Sequence, residues 1–177
     1  LKIPLLSPSA SAAKLSNKSK FPLFGRLCLP DSRQAQALAD VVKHFEWEHV
    51  AMVHCDDVYC QDLAVDTRNQ LGLLGIDLAW ERQVSIGDDD KEIKATTTHI
   101  KAQLHDCNEV ETGEKYAILL IHHNAEPLLH AISETGIEVT WLAAEAIGSK
   151  LPGYYTAASN ILSLRPGGVD TTFDMYQ

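Results

Sequence analysis

The chain has 177 residues, of which 45% are hydrophobic and 22% are charged, and its formal net charge at neutral pH is −9. This composition is ordinary for a globular domain with a buried core. The negative charge argues against nucleic acid as a partner, because nucleic-acid binding depends on clustered lysine and arginine. No apolar run reaches the roughly 18 residues of a membrane span.

The first part of the chain predicts two short strands separated by a loop. Residues 2–6 form a short apolar run of strand length. Residues 7–19 are rich in serine, alanine and lysine and show no periodicity, which predicts a loop. A second short apolar strand then starts at Phe21.

A helix is predicted over residues 31–46, because apolar side chains recur along it at helical spacing. Asp31 occupies its expected first position, and Gln34 follows three residues later, which is the spacing of a capping box. On this interpretation Asp31 could serve only as a helix cap. A buried strand at residues 50–53 follows and runs into the acidic loop at residues 55–59.

The second half repeats the alternation of helices and buried strands. Helices are predicted at residues 61–74, 90–105 and 124–135, strands at residues 76–84, 116–121, 139–143 and 161–164, and a last helix from residue 171. Such alternation predicts the α/β class, with a parallel, doubly wound sheet over residues 22–165. Ligands of such sheets bind outside the carboxyl ends of the strands, where His122 and His123 are interpreted as surface residues.

Four cysteines occur, at Cys28, Cys55, Cys60 and Cys107, and their spacing matches no zinc-ribbon or redox pattern. Cys55 and Cys60 bracket the acidic loop. We interpret them as free, partly buried thiols, with a short disulfide across the loop as the alternative. A metal site with His54 would lack a visible fourth ligand. We therefore predict no metal and no cofactor.

A series of short motifs follows in a fixed order over residues 3–60. They are Ile3-Pro4-Leu5-Leu6, Ser7-Pro8-Ser9-Ala10-Ser11 (here called the serine loop), Leu15-Ser16, Arg26, Pro30-Asp31, Gln34-Ala35-Gln36-Ala37, Glu46-Trp47 and Asp56-Asp57-Val58-Tyr59-Cys60. Their order and spacing resemble the ligand-binding region shared by class C G-protein-coupled receptors, ionotropic glutamate receptor amino-terminal domains and natriuretic-peptide receptors. Cys60 stands where that family usually has glycine.

The resemblance implies a two-lobed clamshell of the type I periplasmic-binding-protein fold, of which this chain would be mostly the second lobe. Residues 1–20 would be a strand and loop of the first lobe, residues 21–165 the second lobe, and residues 166–177 a return toward the first. The chain would then be a fragment of a larger receptor at the extracellular face of a membrane. Only segments outside this chain would contact the membrane.

The resemblance also implies a set of ligand contacts. Ser9 and Ser11 would hold the carboxylate of an amino acid, while Asp31, Tyr59 and Glu145 would surround its ammonium group. Two carboxylates and an aromatic face together suit a cation. Glu145 is one methylene longer than the aspartate that is usual there, and Ala-Ile follows it where many relatives have Gly-Trp.

The function implied is that of a sensor domain for an amino-acid-like molecule, which signals by clamshell closure and forms a homo- or heterodimer through its lobes. The alternative is a ligand-free domain of the same fold that serves as a dimerisation or scaffolding module. The chain has no G-x-S-x-G nucleophile elbow, and no Ser/His/Asp set is suggested, so we predict no catalytic residue and no enzyme.

Overall fold

The computed structural model describes residues 3–85, 90–108, 116–137, 139–144 and 160–164. Its strands are β1 (Leu5–Ser7), β2 (Phe24–Arg26), β3 (His49–Cys55), β4 (Leu78–Val84), β5 (Tyr116–Ile121), β6 (Thr140–Ala143) and β7 (Asn160–Ser163). Its α-helices are α1 (Asp31–His44), α2 (Val58–Leu73), α3 (Asp90–Asn108) and α4 (Glu126–Ser133), and a short 3₁₀ helix spans Ala13–Ser16.

All the helices and strands predicted within these residues are present. The helix predicted from residue 171 lies outside the described part of the chain. α2 begins at Val58, three residues earlier than predicted, because the Asp57 side chain caps it. Among the described helices, none has the length and hydropathy needed to cross a bilayer.

The main sheet has five strands in the order β4–β3–β5–β6–β7, and every neighbouring pair is parallel. This confirms the predicted α/β class and parallel sheet. One detail was wrong: β2 does not join this sheet but pairs with β1 in a separate two-stranded parallel sheet. The crossover of residues 8–23 brings the two short strands together, and sequence periodicity carries no information about which partner a strand chooses.

Alternate residues of each central strand face opposite sides of the sheet, as the pleat requires. On one side, Val50 and Met52 of β3 pack with α1 and α2. On the other side, Ala51 and Val53 pack in the cluster that contains α3 and α4. β5 alternates in the same way, so the sheet is covered by helices on both faces and is doubly wound.

The order of the strands reverses between β3 and β5. The chain leaves β3 toward α2 on one face, and it leaves the adjacent β5 toward α4 on the other face. The two connections diverge at the carboxyl ends of these strands and leave a crevice between them. This topological switch point is where open α/β sheets bind their ligands.

α2 ends in a Schellman motif at Gly75, which was predicted as the residue after the helix. The N–H of Ile76 donates to the Leu71 carbonyl at 3.0 Å, and the N–H of Gly75 donates to the Gly72 carbonyl at 3.1 Å. Gly75 has φ of 75°, a left-handed conformation in which a Cβ is strained. Gly72, by contrast, lies inside the helix with open space around it.

These two glycines should respond to alanine in opposite ways. Gly75→Ala should lower the free energy of unfolding by about 1–2 kcal/mol, because alanine is disfavoured in the left-handed region. Gly72→Ala should raise it by about 0.5–1 kcal/mol, because alanine is the better helix former. Urea unfolding of both variants measures the difference, and equal effects would contradict the described end of α2.

Candidate functional site

A single carboxylate bridges the switch-point crevice. Asp57 lies in the turn between β3 and α2, and its Oδ1 accepts a hydrogen bond from the Cys60 backbone N–H at 2.7 Å. Its Oδ2 accepts from Nε2 of His123, in the loop after β5, at 2.8 Å. One side chain thereby caps α2 and joins the loops that follow two neighbouring strands.

Tyr59 lies beside this bridge in the first turn of α2. Its hydroxyl donates to Oε1 of Gln34 at 3.0 Å, and its ring centroid lies 5.1 Å from that of His123. The residue is half-buried, so part of it is accessible to solvent. Tyr59 thus connects α1 to the crevice, as an aromatic wall of a ligand site would.

Cys55 and Cys60 form a disulfide, so the interpretation as free thiols was wrong. The turn from β3 into α2 brings their Cα atoms to 5.3 Å, within the normal range for a disulfide. Sequence spacing alone could not show this, because the approach depends on where α2 begins. The bond closes the loop that contains Asp57 and Tyr59. Cys28 is a free thiol, and the Cys107 side chain lies outside the described part of the structure.

The serine loop between β1 and the 3₁₀ helix is held by Arg26. The Arg26 guanidinium donates to the carbonyl oxygens of Ala10, Ser11 and Ala12 at 3.2, 2.7 and 3.1 Å, and to Oγ of Ser16 at 2.5 Å. A planar cation with several donors is well suited to gather three successive carbonyls. The loop is therefore fixed to β2 by one side chain.

Asp31 contacts this loop and does not cap its helix, so the predicted capping box was wrong. The N-cap residue of α1 is Pro30, and no side chain caps this end. The Asp31 N–H donates to the Ser11 carbonyl at 2.9 Å, and the Asp31 carboxylate accepts a hydrogen bond from the Ser11 side chain. Gln34, the other half of the expected box, instead accepts from Tyr59.

The surroundings of the Asp31 carboxylate disfavour its charged form. Asp31 is 5% exposed, and this burial raises its pKa above the ordinary value of 3.8. The Ser11 hydrogen bond and Arg26 act to lower the pKa, while Asp66 and Asp62 of α2 raise it further. Burial and the two neighbouring carboxylates therefore outweigh the Ser11 hydrogen bond and Arg26 in their effect on the pKa of Asp31.

The structure brings together part of the predicted site. Ser11 and Asp31 are in direct contact, and Tyr59 bonds to Gln34, one helical turn beyond Asp31 on the same face of α1. Ser9 is exposed in the serine loop, where its N–H donates to Ser7 Oγ at 3.4 Å. Glu145 lies outside the described residues, so its predicted contact stays a prediction.

The role of His123 was missed, and His122 was wrongly interpreted as a surface residue. His122 is buried, and its Nδ1 accepts from the Asn124 N–H at 3.0 Å, which shapes the turn after β5. His123 is half-buried against Asp57. The available signal was their position after a buried strand, because polar residues at the carboxyl ends of parallel strands face the ligand crevice.

The sequence of this chain is similar to those of several receptors. The profile of a family described as the receptor family ligand binding region matches residues 1–176. A metabotropic glutamate receptor of Drosophila melanogaster is 42% identical over 57 residues, covering 32% of this chain and 6% of that protein. The extracellular calcium-sensing receptors of Sus scrofa and Homo sapiens are each 28% identical over 158 residues, covering 86% of this chain. The chain spans only 14% of their length.

Asp31 should make stability depend on pH in a defined direction. A carboxyl group with a raised pKa in the folded state contributes most below its ordinary pKa, and the contribution is lost as the pH rises through the raised value. Asp31→Asn removes the buried charge. The unfolding free energy of this variant minus that of wild type should therefore be larger, which means a relatively more stable variant, at pH 7 than near pH 4.

Urea unfolding of both proteins at the two pH values measures this difference. Asp40→Asn, on the exposed side of the same helix, is the matched control and should show a smaller pH effect. If the unfolding free energy of Asp31→Asn minus that of wild type is the same at both pH values, or is larger near pH 4 than at pH 7, the environment described for Asp31 is contradicted.

Proposed function

The chain belongs to the receptor family ligand binding region, and we propose that it is the extracellular sensor part of a membrane receptor for an amino acid or a similar small molecule. The named relatives are receptors for glutamate and extracellular calcium and not enzymes. One observation supports the proposal most strongly. A chain of side-chain contacts runs from the serine loop, through the first turn of α1, to the crevice at the switch point.

The proposed ligand lies between the serine loop and Tyr59. Ser9 and Ser11 would hold the carboxylate of an amino acid, with the Ser11 hydroxyl donating to the ligand in place of Asp31. The face of Tyr59 would contact its ammonium group, with Glu145 as a second partner. In an α-amino acid the carboxylate and the ammonium group are attached to the same carbon. Protein groups that lie close together can therefore bind both of them. The carboxylates of Asp31 and Asp66 favour the cationic end.

Asp31 is proposed to act in two ways. Its contacts with Ser11 orient the serine loop, and its carboxylate adds negative charge beside the ammonium group. The burial that raises its pKa also strengthens any charge interaction it makes, because the surroundings screen less than water does. Loss of this charge should therefore weaken ligand binding more than it weakens the fold.

Clamshell closure is proposed as the signal. In that arrangement residues 1–20 belong to the first lobe, residues 21–165 to the second, and residues 166–177 return toward the first. The β1–β2 sheet would then join one strand from each lobe, apart from the main sheet, and exposed Leu5 and Leu6 give it an apolar face for packing. A ligand that contacts both lobes would bind the closed form better and shift the population toward it.

The alternative function is a ligand-free domain that forms a homo- or heterodimer or a scaffold. The exposed apolar side chains of the first strands suit such a role as well as they suit packing within one receptor. The two functions differ in whether the polar crevice binds a small molecule. Titration with an amino acid therefore separates them.

We predict that the longer protein, with both lobes, binds L-glutamate with one site per chain in isothermal titration calorimetry. Asp31→Asn should weaken binding by about 1.5–3 kcal/mol, as expected for a hydrogen bond to a charged group. Asp40→Asn should bind as wild type does. Parallel titrations with other L-amino acids and with Ca²⁺ define the ligand class.

Two outcomes would contradict the proposal. Equal affinity of Asp31→Asn and wild type would remove Asp31 from the site. No binding of any amino acid or of Ca²⁺ by a folded protein would support the ligand-free module, and analytical ultracentrifugation should then show a dimer.

A further inference from the structure

Four metal-ligating side chains meet at the carboxyl ends of β3 and β5. Cys55, Asp57, Cys60 and His123 each offer one ligand atom, and these atoms all lie within 4.8 Å of one another. We propose that this cluster binds one Zn²⁺ ion when the Cys55–Cys60 disulfide is reduced. The site would then exchange a disulfide for a bound metal.

The donor set matches the coordination chemistry of zinc. Two thiolates, one imidazole nitrogen and one carboxylate oxygen are the ligand types that tetrahedral Zn²⁺ takes in proteins. Soft thiolates disfavour Mg²⁺ and Ca²⁺, which prefer oxygen ligands alone. A tetrahedron with Zn–S bonds of about 2.3 Å separates two sulfurs by about 3.7 Å. The Cα atoms of Cys55 and Cys60, 5.3 Å apart, allow that separation through side-chain rotation.

Reduction must come first, because the sulfurs of a disulfide are not thiolate ligands. A small dithiol supplies two electrons and two protons, the S–S bond breaks, and the dithiol becomes its own cyclic disulfide. Zn²⁺ then binds both sulfurs and displaces the two thiol protons into water. No other oxidant or reductant takes part.

Two of the four proposed ligands, Asp57 and His123, are partly exposed and already lie in contact with each other, so a metal ion can reach the site from their side. The side chains of Asp57 and His123 are 32% and 41% exposed, whereas the two cysteines are fully buried. An ion therefore approaches from the side of Asp57 and His123. Asp57 Oδ2 and His123 Nε2 already lie 2.8 Å apart, and Asp57 Oδ1 can continue to cap α2.

The inference stands apart from the proposed amino-acid function, because none of its four ligands is a proposed ligand contact. It nevertheless adjoins that site through the Tyr59 ring, which packs on His123. A metal that draws His123 toward the cysteines would change the surroundings of Tyr59. The metal would in this way alter the crevice next to the proposed amino-acid contacts.

The test uses the full chain in a Cys28→Ser/Cys107→Ser background, reduced with dithiothreitol and desalted without oxygen. We expect the reduced protein to bind one Zn²⁺ per chain in competition with a chromogenic chelator, and the oxidised protein to bind far more weakly. With Co²⁺ in place of Zn²⁺, the absorption spectrum should show thiolate-to-cobalt charge transfer from a tetrahedral site. An oxidised protein that binds Zn²⁺ equally well would overturn the proposal.

Ligand variants identify the site. His123→Ala and Asp57→Asn should each weaken zinc binding by about tenfold or more, and asparagine keeps the helix cap. His130→Ala, an exposed histidine of α4, is the control and should change nothing. Unchanged affinity of both ligand variants would overturn the assignment.

Circular dichroism covers the case in which reduction unfolds the chain. Zn²⁺ should then restore the helical signal of the reduced protein, because binding and folding are linked. It should not restore that signal in Cys55→Ala/Cys60→Ala. A reduced chain that zinc neither binds nor refolds would also overturn the proposal.

Discussion

The site depends on the two hydrogen bonds of the Asp57 carboxylate. One oxygen caps α2 and so decides where that helix begins, and the other holds His123 from the neighbouring strand. A helix cap is worth about 1 kcal/mol, and a partly exposed ion pair adds little. The importance of Asp57 is therefore positional: it sets the start of α2, which determines where Tyr59 lies and how closely Cys60 approaches Cys55.

A second support comes from Arg26, which gathers the serine loop against β2. Ser11 then contacts Asp31, and the first turn of α1 carries the connection on to Gln34 and Tyr59. Two separate sheets are thereby linked through polar contacts around one helical turn. A charged ligand changes polar contacts of this kind more strongly than it changes the packing of an apolar core. This difference is the physical basis for the proposed sensor.

Periodicity predicted the class, the helices and the central strands because those features depend on local burial. β5 was predicted with its observed bounds, since an uninterrupted apolar run between polar loops has few alternatives. The sheet partner of β2 was wrong, because pairing depends on the fold as a whole. Asp31 was wrongly interpreted as a cap because Ser11, distant in sequence, offers its carboxylate a better partner than the helix end does.

The site was predictable only in part for the same reason. The resemblance named Ser11, Asp31 and Tyr59, but the contacts that support them come from residues remote in sequence, such as Gln34 and His123. The disulfide depended on the exact start of α2, which one aspartate decides. Local pattern therefore identified the elements, and tertiary contacts decided which polar groups meet.

We propose that a small amino acid binds between the serine loop and the crevice at Tyr59. The most direct measurement is a crystal structure of the longer protein with L-glutamate bound. We expect ligand density in which the carboxylate contacts the Ser11 hydroxyl and the ammonium group contacts the Tyr59 ring. Ligand density away from both residues, in a protein that binds L-glutamate in solution, would contradict it.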